Sequence, residues 1–573
     1  MRILRLPYIL LAAVFLLVGF GAGVMRTLQL DWYGNHKALN TTIGAVNWTK
    51  YRLKRGILDI KRQLSFGAKP GLPRVELYIS IQNQEALMEN PPDSTKKWRQ
   101  AFMKYPDGSL QKIKMRYRGD NPANWLFMKK SIRIKTSKKR LINNQRVFNY
   151  NAPQTPALVE LFLGLMAAKD AGILSSSARM VEMFINDEPY GVLTEYTQPG
   201  EVFLRNSGQM PINLYKGEQT HIERSESIEL DLFNNPSLWK KVAVGNDLPA
   251  ENFSDLSYFL NLIRRAVNDE KGYESLKRIA PFSVWSRYAA YQALTQNSHN
   301  DGFHNQRLVV DPWRGEVYPM MNDPMFVSHE ITNQIDIDTQ SLLRLYNVDP
   351  YFTLEKYRKL YSFLMKDKLL ERGQQRIKNL VKPLLVSAER DSDIWRDRLW
   401  PEFPFKGPSE KLKILLNQYS LDIAEHRRWL IKQLEAEPEA RWQNIAGRLE
   451  LEVDKFAPMY SVSIRLQDGA QIPTRISWDT DGNNTLSPGD TKIPFSIVER
   501  TITLNAAWLA NRSVKEQARY RSNSDYLIGS TYMRATKFTI VTDVPLEVTA
   551  LKGRNALTDK EFDLIEGIVD GAW

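Results

Sequence analysis

The chain contains no cysteine in its 573 residues. This absence excludes disulfides, zinc sites with thiolate ligands and cysteine nucleophiles. Histidine is scarce, with six residues, and no internal repeat or low-complexity tract is present. The 43% hydrophobic and 11% aromatic content excludes wholesale disorder and indicates a globular protein. This length predicts about two to four domains rather than one core.

One long apolar run stands out, Leu6–Val24, with Arg2 and Arg5 before it. It is long enough to span a bilayer and has a poor cleavage site, so residues 1–26 are predicted to be an uncleaved membrane anchor. A polar stalk, residues 27–71, ends in a Pro/Gly cluster. Because a short basic head usually stays in the cytoplasm, we expect a single-pass inner-membrane protein of a bacterial-type cell envelope with its bulk outside. A cytoplasmic orientation stays open.

Basic residues outnumber acidic ones, 78 to 65, which gives a net charge of +13. They are spread along the chain, with clusters at residues 50–62 and 129–140. The first cluster suits anionic lipid next to the anchor. Neither cluster is accompanied by a nucleic-acid-binding motif, so no nucleic-acid partner is expected. Solvated faces or phosphate binding are the better interpretations.

Alternating and apolar runs predict an α+β fold. Strands are expected at Val75–Ile81, Gln111–Tyr117 and Ser131–Thr136. A glycine-bearing turn follows the second of these, and a basic strand after such a turn is a common layout for a phosphate-covering loop and its lysine. A plain β-turn is the alternative.

The rest of the chain predicts helices and a β-rich end. A helix is expected at Leu158–Ala171, and a hairpin around Asn186. Residues 254–297 read as helical with core aromatics, and residues 340–435 are again mainly helical. Residues 450–573 carry short alternating runs, which predict a separate, small β-sandwich-like domain.

The stretch Ser298–Phe326 is the one around which the chain is organised. Two β-type runs flank a Pro- and Gly-containing linker, which predicts a hairpin. A hairpin returns the chain to its start, so Asp301 and Asn305 should lie beside Asp323. Two carboxylates and an amide oxygen suit Mg²⁺ or Mn²⁺ that also holds phosphates. An Asx-rich turn around an ordinary hairpin is the alternative.

A second metal chemistry fits the same stretch. His299 and His304 accompany Asp301 and Asp323, and mixed histidine and carboxylate clusters also bind hydrolytic metals. A metal-dependent hydrolase therefore stays open.

The β-rich domain contains its own candidate metal loop at residues 479–490. Oxygen-bearing side chains occupy loop positions 1, 3, 5, 7, 9 and 12, which is the EF-hand pattern for Ca²⁺. Asn484 replaces the usual glycine and tolerates the left-handed conformation. An Asx-rich hairpin loop is the alternative. The proposed calcium ligands are Asp479, Asp481, Asn483 and Asp490.

The chain from residue 72 to residue 435 resembles the CotH (spore coat protein H) kinase family. The resemblance rests on the order and spacing of motifs like the family's R-G-N-S-S, K-K-S-Y-x-x-K, N-G-E-Y-x-G with a following Glu, N-L-Y-K, D-x-x-x-H-N and W-D-x-D-x-x-F. The corresponding residues here are Arg118-Gly119, Lys129–Lys135, Asn186–Gly191 with Glu195, Asn213–Lys216, Asp301–Asn305 and Met320–Phe326.

This resemblance implies an atypical protein-kinase-like fold and phosphoryl transfer from ATP with Mg²⁺ or Mn²⁺ to a protein or polysaccharide hydroxyl. It implies that Asp301 accepts the hydroxyl proton or holds metal, and that Asn305 and Asp323 coordinate the metal. The nucleotide-binding residues it implies are Arg118, Lys130, Lys135, Glu195 and Lys216.

The chain also departs from the family pattern. Met320-Met321-Asn322-Asp323 stands where the family has W-D-x-D, so one of two acids is missing. A catalytically weak pseudokinase therefore stays open, as does a non-catalytic envelope protein whose β-rich domain binds a glycan or a partner.

Overall fold

The computed structural model describes residues 71–89, 93–119, 129–153, 157–209, 211–219, 231–245, 249–267, 269–327, 335, 337, 339–347, 349–394, 408–454, 458–479, 482–508 and 536–569. The predicted anchor, residues 1–26, and the predicted stalk up to residue 70 lie outside these ranges. Within them, no helix is both long enough and apolar enough to cross a membrane.

The first unit is a closed β-barrel in the order β1-β2-β3-β4-β5-β7-β6. Strands β1 and β6 run parallel and close it, and the other pairs are antiparallel. The strands are β1 (Arg74–Tyr78), β2 (Arg99–Lys104), β3 (Leu110–Tyr117), β4 (Ile132–Lys135), β5 (Val147–Asn151), β6 (Ala178–Ile185) and β7 (Glu188–Thr197).

The alternation of apolar and polar side chains along a strand explains which residues face the inside of the barrel. In β4, Ile132 and Ile134 are buried in the barrel core, while Arg133 and Lys135 point outward. The predicted hairpin between β6 and β7 is present, and Asn186 at its turn has a φ of 53°, as a tight hairpin turn requires.

The predicted first strand is too long at its end. Ile81 begins a short helix, α1 (Ile81–Ala86), because Ser80 caps it, its hydroxyl accepting a hydrogen bond from the Asn83 amide at 3.3 Å.

A second sheet and a mainly helical region follow the barrel. The sheet has the order β11-β10-β8-β9, with β8 (Asn213–Gly217), β9 (Trp239–Ala243), β10 (Gln306–Asp311) and β11 (Glu316–Pro319). The helices are α2 (Glu160–Asp170), α3 (Glu201–Asn206), α4 (Ser254–Ala266), α5 (Glu270–Ile279), α6 (Phe282–Thr295), α7 (Ser341–Tyr346), α8 (Pro350–Met365), α9 (Leu369–Ala388) and α10 (Pro408–Glu435).

One apolar core joins these helices to the second sheet. The aromatic residues predicted to be core in α6 are buried there, namely Trp285, Tyr288 and Tyr291. Helix α8 begins at Pro350 because Asp349 accepts hydrogen bonds from the amides of the first turn. These helices support the hairpin β10–β11 from behind, so its two ends are held at the edge of a packed core.

The end of α9 and the turn after it, residues 387–393, pack back against the barrel. We call them the return segment. The carboxylate of Glu182 on β6 accepts two hydrogen bonds from the Arg390 guanidinium, at 2.6 and 2.7 Å, and one from the Ser387 hydroxyl at 2.6 Å. Glu182 is 0% exposed and Arg390 is 3% exposed. The barrel and the helical region are thus joined by a buried ion pair.

The C-terminal unit consists of two sheets around one core, in the orders β16-β15-β19-β13-β12-β22 and β17-β18-β14-β20-β21. Its strand pairing begins at Glu439, ahead of the residue 450 suggested by the sequence. The strands are β12 (Glu439–Ile445), β13 (Arg448–Asp454), β14 (Met459–Leu466), β15 (Ile476–Trp478), β16 (Thr491–Lys492), β17 (Phe495–Val498), β18 (Thr501–Trp508), β19 (Thr536–Thr542), β20 (Val548–Asn555), β21 (Glu561–Asp563) and β22 (Ile565–Glu566).

The C-terminal unit packs directly on the helical region. Ala507 of β18 belongs to the helical core, and the Arg358 guanidinium lies 5.0 Å from the ring centre of Tyr460. The Asn555 amide donates to the carbonyls of Leu434 and Ala436, both at 3.3 Å, and so satisfies the carboxyl end of α10.

Candidate active site

The predicted hairpin forms from β10 and β11, which pair in antiparallel register from Leu308 opposite Pro319 to Asp311 opposite Glu316. The carboxylate of Asp311 accepts hydrogen bonds from two amides of the connecting turn. At the other end, the chain before β10 and the chain after β11 meet. This pairing places Asn305 and Asp323 at the same edge of the sheet.

Asp301 lies in the loop before β10 and is buried, at 3% exposure. One carboxylate oxygen, Oδ1, accepts hydrogen bonds from the amides of Phe303 and His304 and lies 2.7 Å from His304 Nδ1. The other, Oδ2, has no hydrogen-bond partner among the described residues. One oxygen is therefore fixed, and the other is buried without a hydrogen bond to any described residue.

The His299 side chain contacts two of the predicted metal ligands, Asp323 and Asn305. Its Nδ1 lies 2.9 Å from the Asp323 carbonyl oxygen and 3.9 Å from that residue's carboxylate. The Asn305 amide nitrogen lies 3.3 Å from His299 Nε2. The rings of His299 and His304 meet edge to face at 5.0 Å. These contacts link the three predicted residues into one continuous cluster.

Backbone conformation also marks this cluster. Asn305 and Asp323 have φ values of 60° and 53°, a left-handed conformation that Asn and Asp adopt more readily than most residues. Such strain is concentrated at functional sites, where surrounding structure holds it in place.

Two buried asparagines hold the cluster together, and sequence reasoning missed both. The Asn300 side chain donates to the carbonyls of Asn305 and Asn322, at 3.0 and 2.6 Å. The Asn297 side chain accepts from the Met325 amide at 3.0 Å. Each one joins the segment before the hairpin to the segment after it. The signal available in the sequence was the pair of amides directly before Asp301.

Among the described residues, no three His, Asp or Glu side chains are grouped closely enough to hold a metal ion by themselves. Asn305, Asp323 and the free oxygen of Asp301 are the oxygen donors at this edge, and that donor set suits Mg²⁺ or Mn²⁺ when phosphate oxygens complete the coordination. The predicted metal ligands therefore fit a cation that arrives with a nucleotide.

Of the predicted nucleotide-binding residues, Arg118 lies on the outer face of the barrel. Its guanidinium donates to the Asn151 side chain at 2.9 Å and lies 5.4 Å from the ring centre of Tyr196. The charges of Arg118 and Asp323 act in opposite directions on the pKa of Tyr196, which burial raises. Arg118 and Asp323 therefore both lie within electrostatic range of the same tyrosine.

The other predicted nucleotide-binding residues are more dispersed. Glu195 is paired with Arg179 through two hydrogen bonds, at 2.6 and 3.1 Å. The Lys130 ammonium lies 5.7 Å from the ring centre of Tyr117.

Lys135 and Lys216 occupy different strands. The Lys135 ammonium lies 6.0 Å from the ring centre of Trp98. Lys216 on β8 lies opposite Arg307 of β10 and 3.6 Å from the Glu218 carboxylate. Their roles stay predictions.

Sequence reasoning also missed a buried pair next to Lys130. The Lys129 ammonium lies 2.6 Å from the carboxylate of Asp391 in the return segment, and that carboxylate also accepts from the Val192 amide at 2.8 Å. Burial raises the pKa of Asp391, and the Lys129 charge opposes this. The first lysine of the basic cluster at residues 129–140 thus joins the barrel to the return segment.

In the C-terminal unit, the predicted calcium loop forms turns with its own backbone. Asp479 accepts from the amides of Gly482 and Asn484, both at 2.8 Å, and Asp490 accepts from the Ser487 amide at 2.6 Å. Asn484 has a φ of 61°, as expected for its loop position. Of the predicted ligands, Asn483 accepts from Thr485 and Asp481 lies outside the described residues.

Comparison with known proteins gives a family match in sequence and a similarity to a solved structure. The family model of the CotH kinase protein matches residues 115–394. No curated protein matches the chain. Among solved structures, the Helicobacter pylori proinflammatory kinase CtkA is similar at 11% identity, covering 52% of this chain and 94% of its own, with a TM-score of 0.19. A score this low carries no argument, so the assignment rests on the sequence match. The resemblance to the CotH kinase family is therefore confirmed by a family-model match over residues 115–394.

Proposed function

We propose that the protein is an atypical kinase that transfers a phosphoryl group from ATP to a hydroxyl of a protein or polysaccharide in the cell envelope. The observation that carries this proposal is the geometry of Asp301, whose Oδ1 is fixed by three contacts while its buried Oδ2 has no partner among the described residues. A carboxylate held in this way can accept a proton from an acceptor hydroxyl.

The roles of the neighbouring residues follow from their positions. His304 fixes the orientation of the Asp301 carboxylate through the 2.7 Å contact. Asn305 and Asp323 would hold Mg²⁺ or Mn²⁺, which when bound neutralises phosphate charge. The side chains of His299 and Asp323 are each 34% exposed, so this edge is open to a ligand. Positioning and charge neutralisation, rather than a strong base, are what phosphoryl transfer requires.

Membrane attachment and location are further parts of the proposal. They rest on the apolar run Leu6–Val24 and its basic flank. A reporter fused after Trp573 should be active outside the inner membrane. A reporter active in the cytoplasm would reverse the proposed orientation.

The test of transfer uses the full-length chain with labelled ATP and either Mg²⁺ or Mn²⁺. Asp323→Asn should abolish metal-dependent nucleotide binding, whereas Asp301→Asn should keep binding and stop transfer. Asp311→Asn is the matched control, because Asp311 is an equally buried aspartate that serves the turn of the same hairpin. It should leave transfer unchanged.

The outcomes separate the alternatives. Undiminished transfer by Asp323→Asn would refute the assignment of the site. Nucleotide binding by the wild type without transfer to any envelope fraction would support a pseudokinase, for which the missing acid at Met321 gives a physical reason. Label on envelope material that proteases release identifies a protein acceptor, and label that only glycan cleavage releases identifies a polysaccharide.

A further inference from the structure

A row of polar residues crosses four adjacent strands on the outer face of the barrel. The register places Arg116 opposite Arg133, Arg133 opposite Asn149, and Asn149 opposite Tyr196. Directly opposite side chains in a sheet are close neighbours. The Arg133 guanidinium donates to the Asn149 side chain at 2.6 Å, and Arg118, just beyond β3, lies by Tyr196.

Arg307 of β10 reaches the same place from the hairpin. It is 6% exposed, and its guanidinium donates to the Gln306 carbonyl at 2.7 Å. Burial lowers the pKa of Arg307; Glu218, Tyr196 and Asp323 act in the opposite direction, and Arg118 lowers the pKa further. Burial likewise lowers the pKa of Arg133 to about 9, with repulsion from Arg118 second. Arg118 and Arg133 therefore lie in one row on the barrel, and Arg307 and Asp323 are close enough for their charges to act on the pKa of Tyr196 in that row.

No carboxylate pairs with these three arginines in the part of the chain that the structure describes. The carboxylates whose charges act on Arg307 are Glu218 and then Asp323, and Glu218 already contacts Lys216 at 3.6 Å. The contrast with Arg390 is informative, because that buried arginine has a bidentate carboxylate partner. Burying cations together without a directly paired carboxylate is unfavourable, so a fold that keeps this arrangement is suited to an anionic ligand.

We propose that Arg118, Arg133 and Arg307 form a binding site for the polyphosphate chain of the nucleotide, next to the metal ligand Asp323. The sequence did not single out Arg307, and it singled out Arg133 only as part of the basic cluster at residues 129–140. Guanidinium groups bind phosphate oxygens through paired N–H donors. Placed here, they neutralise the charge of the transferred group as it leaves the nucleotide. This inference rests on the proposed kinase function and names residues that hold its donor substrate.

The experiment measures thermal stabilisation of the full-length chain by Mg·ATP, by inorganic tripolyphosphate and by adenosine. The variants are Arg133→Gln and Arg307→Gln. Each should weaken ATP and tripolyphosphate binding by roughly 10- to 100-fold, as expected for the loss of a charged hydrogen-bonding group. Any adenosine binding should be unchanged. The matched control is Lys114→Gln, which removes an exposed positive charge from the same barrel face and should change affinity by less than about twofold.

The ligand-free variants supply a second measurement. Because each substitution relieves repulsion among buried cations, both variants should melt at or above the wild-type temperature. If a glutamine variant does not fold, Arg133→Lys and Arg307→Lys take its place, since they keep the charge and lose the paired donors; each should bind ATP more weakly than the wild type.

Failure of the inference and failure of the proposed function give different results. Wild-type affinity for ATP and tripolyphosphate in both variants, with transfer intact, overturns the arginine site and leaves the kinase proposal standing. A second outcome is that the wild type binds tripolyphosphate but no nucleotide, and that the variants lose tripolyphosphate binding. This result supports the arginine site as an anion site and overturns the kinase proposal. A wild type that binds neither ligand overturns both.

Discussion

Replacing Arg390 with methionine tests how strongly the return segment is held on the barrel. In the native protein, the Glu182 carboxylate accepts three hydrogen bonds, two from the Arg390 guanidinium and one from the Ser387 hydroxyl. Arg390→Met keeps much of the side-chain volume and removes two of the three donors. The carboxylate stays at a position that is 0% exposed, where water cannot replace the lost donors.

The expected cost follows from that burial. Removing one partner of a buried ion pair usually costs about 3–5 kcal/mol, because the remaining charge is left uncompensated. An exposed pair costs far less, about 0.3–0.5 kcal/mol between helix residues four apart. The chain offers such a pair in α3, where Arg205 lies 2.7 Å from Glu201 and both are more than two-thirds exposed. Arg205→Met is therefore the matched control.

The measurement is urea unfolding of the full-length chain, combined with hydrogen exchange of the β6 amides to report on the barrel itself. Arg390→Met should lower the stability of β6 by several kcal/mol, and the double variant Glu182→Leu/Arg390→Met should recover most of the loss. If Arg390→Met costs no more than Arg205→Met, the reasoning about the buried pair is wrong.

Three further predictions concern other parts of the molecule. Gly191→Ala should lower the free energy of unfolding, measured in urea, by at least about 2 kcal/mol. The reason is that Gly191 has a φ of 124° and that a Cβ there would lie 2.6 Å from the Asp391 carboxylate. Gly108→Ala should cost less, because Gly108 has a φ of 79° but open space around it. Burial lowers the pKa of His426 to about 4. As the pH falls from 6.5 to 4, this histidine is therefore protonated in the unfolded chain while it is still neutral in the folded one, and this difference favours unfolding. Stability should drop by about 2 kcal/mol at pH 5 relative to pH 7, and His426→Gln should remove that drop. In the C-terminal unit, Ca²⁺ should raise the melting temperature of the full-length chain and Asp490→Ala should abolish the rise; identical melting with Ca²⁺ and with chelator would show that the loop is only a turn.

Local pattern was sufficient to predict the elements that the site needs. Alternation in β4 and the Pro/Gly linker after β10 have their expected structures because each depends on neighbouring residues alone. The same holds for the approach of Asp323 to Asn305, since a hairpin brings its own ends together. The family match over residues 115–394 confirms the recognition that these motifs supported.

Contacts between distant parts of the chain could not be predicted. Glu182 and Arg390 are separated by 208 positions, and Lys129 and Asp391 by 262. No periodicity relates such residues. Arg307 shows the same limit, because its electrostatic effect on Arg133 depends on how the hairpin packs against the barrel. Asn297 and Asn300 look like ordinary loop residues until their buried partners are known.

The junction between α10 and the C-terminal unit determines how the two halves of the protein can be used. Ala507 fills a place in the helical core, and Asn555 satisfies the last carbonyls of α10. A protein cut after Glu435 would lose both, exposing apolar surface and leaving the Leu434 carbonyl without its Asn555 donor. Any ligand carried by the C-terminal unit is therefore held at a fixed distance and orientation from Asp301, without the free swing that a flexible tether would allow.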